Sequence, residues 1–414
     1  MNTVLIYTSP ARGHLYPMMD IAIEFRNEGY EVIVQTLSNE KEHVEKENIQ
    51  HIPISKVIES LELEDFKENN PVAQFKAAFR CWLSRAPHEI ADLRHSVDKC
   101  NPDLLIVDVN SWGAGAYAES QGQPWIMFMP YCLPVSSSDT PAFGPGFAPP
   151  GNFMHRLRDR VVDGMVQKAV KSMIDELNTM RSELNVSSVG KYEELFYKPD
   201  LLLYLTAEPF DYPRKHWPEN ILPIGPGLWA PPGETPEWIK DLPSPKILVS
   251  VSTEMQDDGA IIETALSALS EQQGSIIVTT SALDPDRFKT SRDNVYITKF
   301  LPHAQVIPQM DLIVTHGGMG TTQRALAAGV PVCVVPWGRD QNETARRVEI
   351  SVCGTMLPKN KLNEKRLREA VRGAMNCSQG AATIAKAFKE AGGAKRAVKA
   401  ITDLLPVREA EQKK

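Results

Sequence analysis

Short apolar runs alternate with longer amphipathic stretches along the whole chain. In the first half, runs rich in Val, Ile, Leu, Met and Phe are typical of buried strands. The strands predicted there are 4–7, 31–36, 49–54, 102–108, 125–129, 201–204 and 221–224. Between them, apolar residues recur at helical spacing, and the longest predicted helices are 15–28, 71–98 and 154–184. This βαβ alternation predicts a parallel, doubly wound sheet.

A second α/β pattern begins after a stretch rich in proline and glycine, 225–245, which is typical of an interdomain linker. Its predicted strands are 246–251, 275–279, 294–298, 312–315 and 332–335. Its predicted helices are 258–272, 321–328 and 342–350, with several more over 364–405. We therefore predict an α/β protein of two doubly wound domains facing across a cleft. The predicted boundaries are 1–224, the linker 225–245, 246–395, and a C-terminal helix or tail at 396–414.

Segment 130–150 interrupts the first domain with Pro, Gly, Ser and aromatic residues. Long ordered loops of this kind often cover binding sites. Ligands of doubly wound folds bind beyond the carboxyl ends of the strands. The predicted binding region is therefore the cleft between the two domains.

Charge and cysteine content narrow the class of protein. The formal net charge is −7 with a pI of about 5.8, which argues against non-specific nucleic-acid binding. No apolar run approaches the roughly 20 residues of a membrane span, and the N-terminal segment lacks signal-peptide features, so we expect no stable membrane insertion. The six cysteines are scattered, with no metal-binding or disulfide pattern. We expect a cytoplasmic protein with free thiols.

A glycine-rich turn at 316–320 follows the predicted strand 312–315 and precedes a predicted helix. A helix N-terminus of this kind offers free N–H groups and a positive dipole end to an anion. His316 lies beside it, which favours a site for a diphosphate.

Further motifs surround this turn in a specific order. They are Phe300-Leu-Pro-His303, His316-Gly-Gly-Met-Gly-Thr-Thr322, Ala328-Gly-Val-Pro331, Pro336 and Asp340-Gln341. Together with the Gly13-His14 loop and the strand that ends in Asp108, these motifs are spread over almost the whole chain. The sequence resembles the GT-B-fold, family 1 glycosyltransferases, which include plant natural-product and bacterial macrolide enzymes. The resemblance implies two Rossmann-like domains, the first for the acceptor and the second for a nucleotide sugar.

The resemblance also implies catalytic roles for His14 and Asp108. His14 would act as a general base toward an acceptor hydroxyl, and Asp108 would orient its imidazole. From the residues alone, His14 is also compatible with a loop histidine bonded to backbone. Asp108 is also compatible with a cap of the helix that begins near Ser111.

A nucleotide-sugar site is implied in the second domain. His316 with Gly318, Gly320 and Thr321 would bind the diphosphate together with Ser252; Phe300 and Leu301 would bind the base; Trp337, Asp340 and Gln341 would hold the hexose. Asp340-Gln341 is also compatible with a simple helix N-cap, and Phe300 with an ordinary core residue. Candidate acceptor contacts are Trp82, Trp112 and Phe143, for which core or loop packing is the alternative.

Two departures from the family pattern bear on the donor. Arg324 stands where family members that use UDP-sugars carry an acid for the ribose, and an arginine cannot accept a hydrogen bond. Met319 replaces the tryptophan of plant members. UDP-glucose is the expected donor, with a dTDP-deoxysugar as the alternative.

We expect no metal and no other cofactor, because the sequence has no DxD-type motif where the family would need one. The expected reaction is an inverting transfer of a hexose to a hydroxyl of a hydrophobic small molecule. A non-catalytic homologue that only binds a partner is the alternative from another class. A nucleotide-sugar epimerase would need acid/base carboxylates in the cleft that the sequence does not identify.

Overall fold

The computed structural model describes residues 2–68, 70–269 and 273–405. Two parallel sheets form two α/β domains, which confirms the predicted fold class. In the described part of the chain, no helix combines the length and apolar character needed to cross a bilayer. The predicted tail at 408–414 lies outside the described residues.

The N-terminal domain is built on a seven-stranded sheet with the order β3-β2-β1-β4-β5-β6-β7. Its strands are β1 Thr3–Tyr7, β2 Glu31–Thr36, β3 Gln50–Pro53, β4 Leu104–Asp108, β5 Trp125–Met129, β6 Leu201–Tyr204 and β7 Ile221–Pro223. Its helices are α1 Arg12–Asn27, α2 Lys41–Lys46, α3 Lys56–Ser60, α4 Pro71–Cys100, α5 Trp112–Ser120 and α6 Phe153–Glu183.

The C-terminal domain is built on a six-stranded sheet with the order β10-β9-β8-β11-β12-β13. Its strands are β8 Lys246–Ser250, β9 Ser275–Thr279, β10 Val295–Thr298, β11 Leu312–Thr315, β12 Val332–Val334 and β13 Gly354–Met356. A short helix α7, Glu237–Lys240, lies in the linker; the later helices are α8 Gly259–Leu269, α9 His303–Val306, α10 Met319–Ala327, α11 Gln341–Ile350, α12 Glu364–Met375, α13 Ser378–Glu390 and α14 Gly393–Thr402.

The apolar runs form strands because both faces of each sheet are covered by helices. In β1 and β4, every residue is buried. The register places Leu5 beside Leu105 and Ile6 beside Ile106, so alternate side chains fill the cores on the two faces of the sheet. Continuous apolar runs rather than alternating ones are therefore what this sheet requires.

The several helices predicted over 364–405 are three in the structure, α12, α13 and α14. Gly392, with a left-handed φ of 90°, separates α13 from α14. Helix α13 packs in the C-terminal domain, whereas α14 returns to the N-terminal domain. There Ala397, Val398 and Ile401 join the core formed by α1. The last described helix thus ties the two domains together.

The Pro-rich segment 130–150 also joins the domains. Glu343 of α11 accepts hydrogen bonds from the N–H groups of Gly144 and Gly146, each at 2.8 Å. Gly146 approaches α11 so closely that a Cβ there would lie 2.5 Å from the Asn342 carbonyl oxygen. This segment is therefore docked across the cleft by backbone contacts.

Candidate active site

A cavity of about 1100 Å³ lies between the two domains. It is lined by residues that follow the carboxyl ends of β1 and β4 on one side and of β8 and β11 on the other. This is the place at which doubly wound sheets bind ligands.

His14 lies in the first turn of α1 and lines the cavity. Its Nδ1 is 2.8 Å from Asp108 Oδ2, at the end of β4. The same carboxylate oxygen accepts from the Ser9 hydroxyl at 3.0 Å. Asp108 is buried behind His14 and does not itself line the cavity. Asp108 therefore contacts only Nδ1 of the imidazole and does not occupy Nε2.

Two effects oppose each other at His14. Burial lowers the pKa of the imidazole, but the charge of Asp108 and its hydrogen bond outweigh burial and raise the pKa above 6.5. More distant carboxylates, Glu254 and Asp340, act in the same direction. The site is thus arranged to stabilise a protonated imidazole.

Asn110 and Tyr131 extend the pair, and sequence reasoning missed both. The Asn110 side-chain amide lies 3.4 Å from His14 Nε2, and its carbonyl accepts from the Tyr131 hydroxyl at 2.8 Å. The Asn110 backbone N–H donates to Asp108 Oδ1 at 2.7 Å. Asn110 therefore contacts both members of the pair. The available signal was a polar residue just past a strand that ends in a carboxylate.

The N-terminus of α10 faces the cavity across from His14. Its N-cap, Gly318, provides no side-chain hydrogen bond to the first turn, and Gly320 and Thr321 line the cavity. A Cβ on Gly318 would lie 2.6 Å from His316 Nε2, so glycine lets the imidazole pack against the turn. The first-turn N–H groups of α10 and the His316 side chain thus lie together, an arrangement that is suited to an anion.

His316 is buried and neutral in this arrangement. Burial lowers its pKa to about 4, and the positive charge of Arg339 acts in the same direction. The nearby backbone of Ser250 acts in the opposite direction and raises the pKa. Among the described residues, His316 Nδ1 has no hydrogen-bond partner. An unpartnered buried nitrogen beside a helix N-terminus is suited to a ligand oxygen.

Asp340 and Gln341 differ in whether their side-chain oxygens already have hydrogen-bond partners. Asp340 lines the cavity, and its Oδ2 is buried without a partner among the described residues. Gln341 is already engaged, because its Oε1 accepts from the N–H groups of Trp337 and Gly338 at 2.7 and 3.0 Å. Asp340 therefore carries a carboxylate oxygen without a partner among the described residues, while Gln341 holds the loop in place.

Gln256 continues this loop network and was not identified from the sequence. Its Oε1 accepts from Gln341 Nε2 at 2.7 Å, and its Nε2 donates to Ser252 Oγ at 2.9 Å. The Ser252 oxygen also accepts from the Glu254 N–H at 3.2 Å. Trp337 lines the cavity nearby, and the Lys359 ammonium lies 5.5 Å from its ring centre.

Phe300 and Leu301 do not line the cavity. The Phe300 side chain is 74% exposed, which rules out the alternative that it is an ordinary core residue. The Leu301 side chain is buried in the C-terminal core. His303 of the same motif does line the cavity, with its Nε2 3.3 Å from the Thr279 hydroxyl. Burial lowers the pKa of His303 to about 4.

Two of the three acceptor candidates line the cavity. Trp82 of α4 and Phe143 of the docked loop do so. Trp112 does not, which corrects the prediction: its ring is 8% exposed and packs 4.7 Å from Phe79 and 5.5 Å from Trp82. Trp112 lies at the start of α5 and faces the core, where it packs against Trp82 on the side away from the cavity.

Arg324 contacts the linker. Its guanidinium donates to the carbonyls of Leu228 at 2.7 Å and Trp229 at 3.1 Å. The N–H groups of the same two residues donate to Asp20 Oδ2 of α1. Arg324 thus holds the linker between the two domains.

An ion-pair cluster at the cavity was also missed by the sequence analysis. Arg339 lies 3.0 Å from Asp65 of the N-terminal domain, and it pairs with Glu254 of its own domain. All three side chains line the cavity. Among the described residues, no group of three or more His, Cys, Asp or Glu side chains is arranged to hold a metal ion.

Comparisons with known proteins identify relatives of this chain. Residues 263–392 match the C-terminal domain of the erythromycin biosynthesis protein CIII-like family. The chain is 30% identical over 389 residues to 4'-demethylrebeccamycin synthase of Lentzea aerocolonigenes, covering 90% of this chain and 91% of that protein.

Solved structures show the same fold. The glycosyltransferase of kitacinnamycin has a TM-score of 0.74 at 20% identity, covering 98% of this chain and 99% of that one. The glycosyltransferase VinC in complex with dTDP has a TM-score of 0.69 at 20% identity, covering 97% and 99%. With two Rossmann-like domains around one cleft, the chain belongs to the GT-B-fold, family 1 natural-product glycosyltransferases.

Proposed function

We propose that the protein transfers a hexose from a nucleoside-diphosphate sugar to a hydroxyl of a hydrophobic small molecule, with inversion at the anomeric carbon. One observation carries the proposal. His14 lines the same cavity as His316 and the N-terminus of α10, and Asp108 lies behind His14 at 2.8 Å. A base for the acceptor and an anion site for the leaving group therefore share one enclosed space.

The proposed reaction is a single displacement. His14 Nε2 takes the proton of the acceptor hydroxyl as its oxygen forms a bond to the anomeric carbon. The bond from that carbon to the diphosphate oxygen breaks, and its electron pair leaves with the nucleoside diphosphate. The imidazolium that results is stabilised by Asp108, which already raises the pKa of His14. A base placed in this way contributes about a hundredfold to ten-thousandfold in rate.

Charge that develops on the leaving group is stabilised by groups already in position. The first-turn N–H groups of α10, His316 and the Ser252 hydroxyl are the proposed donors. Fixed dipoles of this kind cost little reorganisation during the reaction. We propose that they act without a metal or another cofactor.

Asp340 is the proposed acceptor of hydrogen bonds from the hexose. Its unpartnered oxygen is buried in the cavity, and burial raises the pKa of the carboxyl group. Hydroxyl donors from a sugar would satisfy this oxygen. Trp337 is the proposed apolar wall of the same subsite, and Gln341 contributes by holding the Trp337 loop.

A hydrophobic acceptor suits the apolar side chains that the N-terminal domain contributes to the cavity. Trp82 and Phe75 from α4, Phe143 from the docked loop, and Met165 from α6 line it. Ligand sites of this kind combine apolar walls with a few polar groups. A hydroxylated aromatic or polyketide-like molecule is the proposed class.

UDP-glucose is the proposed first donor, and a dTDP-deoxysugar is the second candidate. One observation favours the second. The Arg324 guanidinium is committed to linker carbonyls and cannot accept from a ribose 2′-hydroxyl, which thymidine nucleotides lack. The bound dTDP of VinC supports the same candidate.

The test is turnover with matched donors. The protein is incubated with UDP-glucose, dTDP-glucose and dTDP-rhamnose against hydroxylated aromatics and macrolides, and products are identified by mass spectrometry and anomeric NMR couplings. We expect a glycoside of inverted configuration and release of one nucleoside diphosphate per product. Binding of donors without turnover by any pair would instead support the non-catalytic alternative.

His14→Ala is the matched control for the chemistry. We expect it to lower turnover by about a hundredfold or more while calorimetric donor affinity changes little. An equal loss of donor affinity would contradict the role of a base. EDTA should leave the rate unchanged, and strong inhibition would refute a metal-free reaction.

A further inference from the structure

Helix α6 exposes a stripe of large apolar side chains along its first half. Phe153, Leu157, Val161 and Met165 are exposed and follow one another at intervals of four residues, with Met154 beside the first. Residues at this spacing lie on one face of a helix. Contiguous exposed apolar surface of this kind marks an interaction site more often than isolated residues do.

Basic residues flank the stripe. Arg156, Arg160 and Lys168 are exposed, and within the described residues none of them has an ion-pair or hydrogen-bond partner. Each lies three residues from a member of the stripe, namely Phe153, Leu157 or Met165. The helix thus presents an apolar face bordered by free positive charge, although the whole chain carries −7.

The two acids of this part of the helix do not neutralise the surface. Asp159 is buried and pairs with Arg158 at 2.7 Å. Asp163 is half-buried and accepts from the Ser136 hydroxyl at 2.8 Å. The remaining exposed charges between residues 152 and 174, all of which are described, are basic.

We propose that this face of α6 docks on an anionic lipid bilayer. An amphipathic helix with a basic border lies in a membrane interface through buried apolar side chains and attraction to anionic headgroups. A second copy of the chain is a poorer occupant, since a two-fold contact would place Arg156, Arg160 and Lys168 against like charges.

The stripe leads toward the cavity. Met165 belongs to both, and Val162, Val166 and Ala169 of the same helix line the cavity. A bilayer against α6 would therefore lie beside the cavity entrance, so that lipid-dissolved molecules have a short path into it. Membrane binding itself does not depend on the proposed reaction, and it is tested without donor or acceptor.

The test is sedimentation of the full chain with vesicles. We expect binding to vesicles that contain phosphatidylglycerol, weaker binding to pure phosphatidylcholine, and loss of binding at high salt. Replacing Arg156, Arg160 and Lys168 together by Gln should weaken binding by about a hundredfold, since each basic residue near an anionic surface contributes roughly fivefold.

Matched controls separate the surface from net charge and from general stickiness. Lys365, Lys389 and Lys395, all exposed on C-terminal helices, give a triple Gln variant of the same net charge that should bind normally. Leu157→Gln should weaken binding, whereas Ile350→Gln should not, although their exposures are 42% and 43%. The proposal would be overturned if the two triple variants weakened binding equally, if Leu157→Gln and Ile350→Gln did so equally, or if the protein did not bind anionic vesicles. A dimer in light scattering that Leu157→Gln abolishes would overturn it in favour of a second copy.

Discussion

Arg339 reaches across the cleft to Asp65, with Nη2 3.0 Å from Oδ1 and Nε 3.1 Å from Oδ2. Asp65 is buried, and the Arg339 side chain is 21% exposed. Burial lowers the pKa of Arg339, but Glu254 and Asp65 outweigh it and raise the pKa. The pair joins the domains one residue before Asp340, the proposed hexose contact.

Arg339→Gln should therefore destabilise the protein more than Asp65→Asn. The first leaves two carboxylates, Asp65 and Glu254, without their cation, whereas the second leaves Arg339 paired with Glu254. We expect a loss of about 1–3 kcal/mol in unfolding free energy for Arg339→Gln and a higher KM for the donor. Urea denaturation and donor saturation curves measure the two effects. Strict additivity in the double variant would show that the residues do not act as a pair.

Asp108→Asn should move the acid limb of the rate profile to lower pH. The active form of His14 is neutral, so kcat/KM should rise with pH through a pKa that Asp108 holds above 6.5. Without the carboxylate charge, burial dominates and lowers that pKa. Turnover should also fall by about a hundredfold to ten-thousandfold. The profile is measured between pH 5 and 9, and an unchanged acid limb would assign it to another group.

Asn110→Ala should shift the same limb in the opposite direction. The Asn110 amide lies 3.4 Å from His14 Nε2, where a donated hydrogen bond favours the neutral imidazole. Its loss should raise the pKa of His14 and lower turnover by about three- to thirtyfold. Tyr131→Phe is the milder control, because it frees the Asn110 carbonyl but keeps its amide. A downward shift for Asn110→Ala would contradict the positioning role.

The fold was predictable because its parallel strands are continuous apolar runs, as in Val4–Tyr7 and Leu104–Asp108. Such runs identify buried strands without knowledge of their neighbours. The docking of α14 on α1 was not predictable, because the apolar face of α14 is equally suited to either domain. Only the three-dimensional contacts of Ala397 and Ile401 decide between them.

The site residues also divide into those that local motifs predict and those that only the folded structure reveals. His14, Asp108 and His316 stand in local motifs; His14 and His316 line one cavity, and Asp108 lies buried behind His14. Asp65 and Arg339 carry no such local signal, since they are 274 positions apart and meet only across the cleft between the folded domains. Trp112 was misplaced because a tryptophan in the sequence does not reveal which side of its helix faces the cavity.

Arg324→Glu should destabilise the protein rather than simply change its nucleotide preference. A carboxylate there would face the carbonyls of Leu228 and Trp229, with Asp20 on the other side of the linker. We expect a loss of about 1–3 kcal/mol, and a smaller loss for Arg324→Gln, which keeps a donor. Thermal unfolding with UDP-glucose or a dTDP-sugar measures both properties. A stable Arg324→Glu variant with improved affinity for UDP-glucose would show that the position contacts the ribose.

Donor binding should tighten as pH falls, through His316. Burial holds the pKa of the free imidazole at about 4, so His316 is neutral at pH 7. A bound diphosphate places negative charge beside it and favours the protonated form, which raises the pKa in the complex. By linkage, affinity is constant above the pKa of the complex and increases as pH falls below it, down to the pKa of the free protein. UDP-glucose is a suitable probe because its diphosphate diester does not titrate in this range.

Calorimetric titrations between pH 5 and 8, in buffers of different ionisation enthalpy, measure both the affinity and the proton uptake. We expect His316→Gln to abolish the uptake and to weaken binding, because an amide still donates a hydrogen bond but does not titrate. His303 is the matched control, since burial also holds its pKa at about 4 and it lines the same cavity. Proton uptake that disappears in His303→Gln and persists in His316→Gln would place the diphosphate nearer to the Thr279 side of the cavity than to the N-terminus of α10.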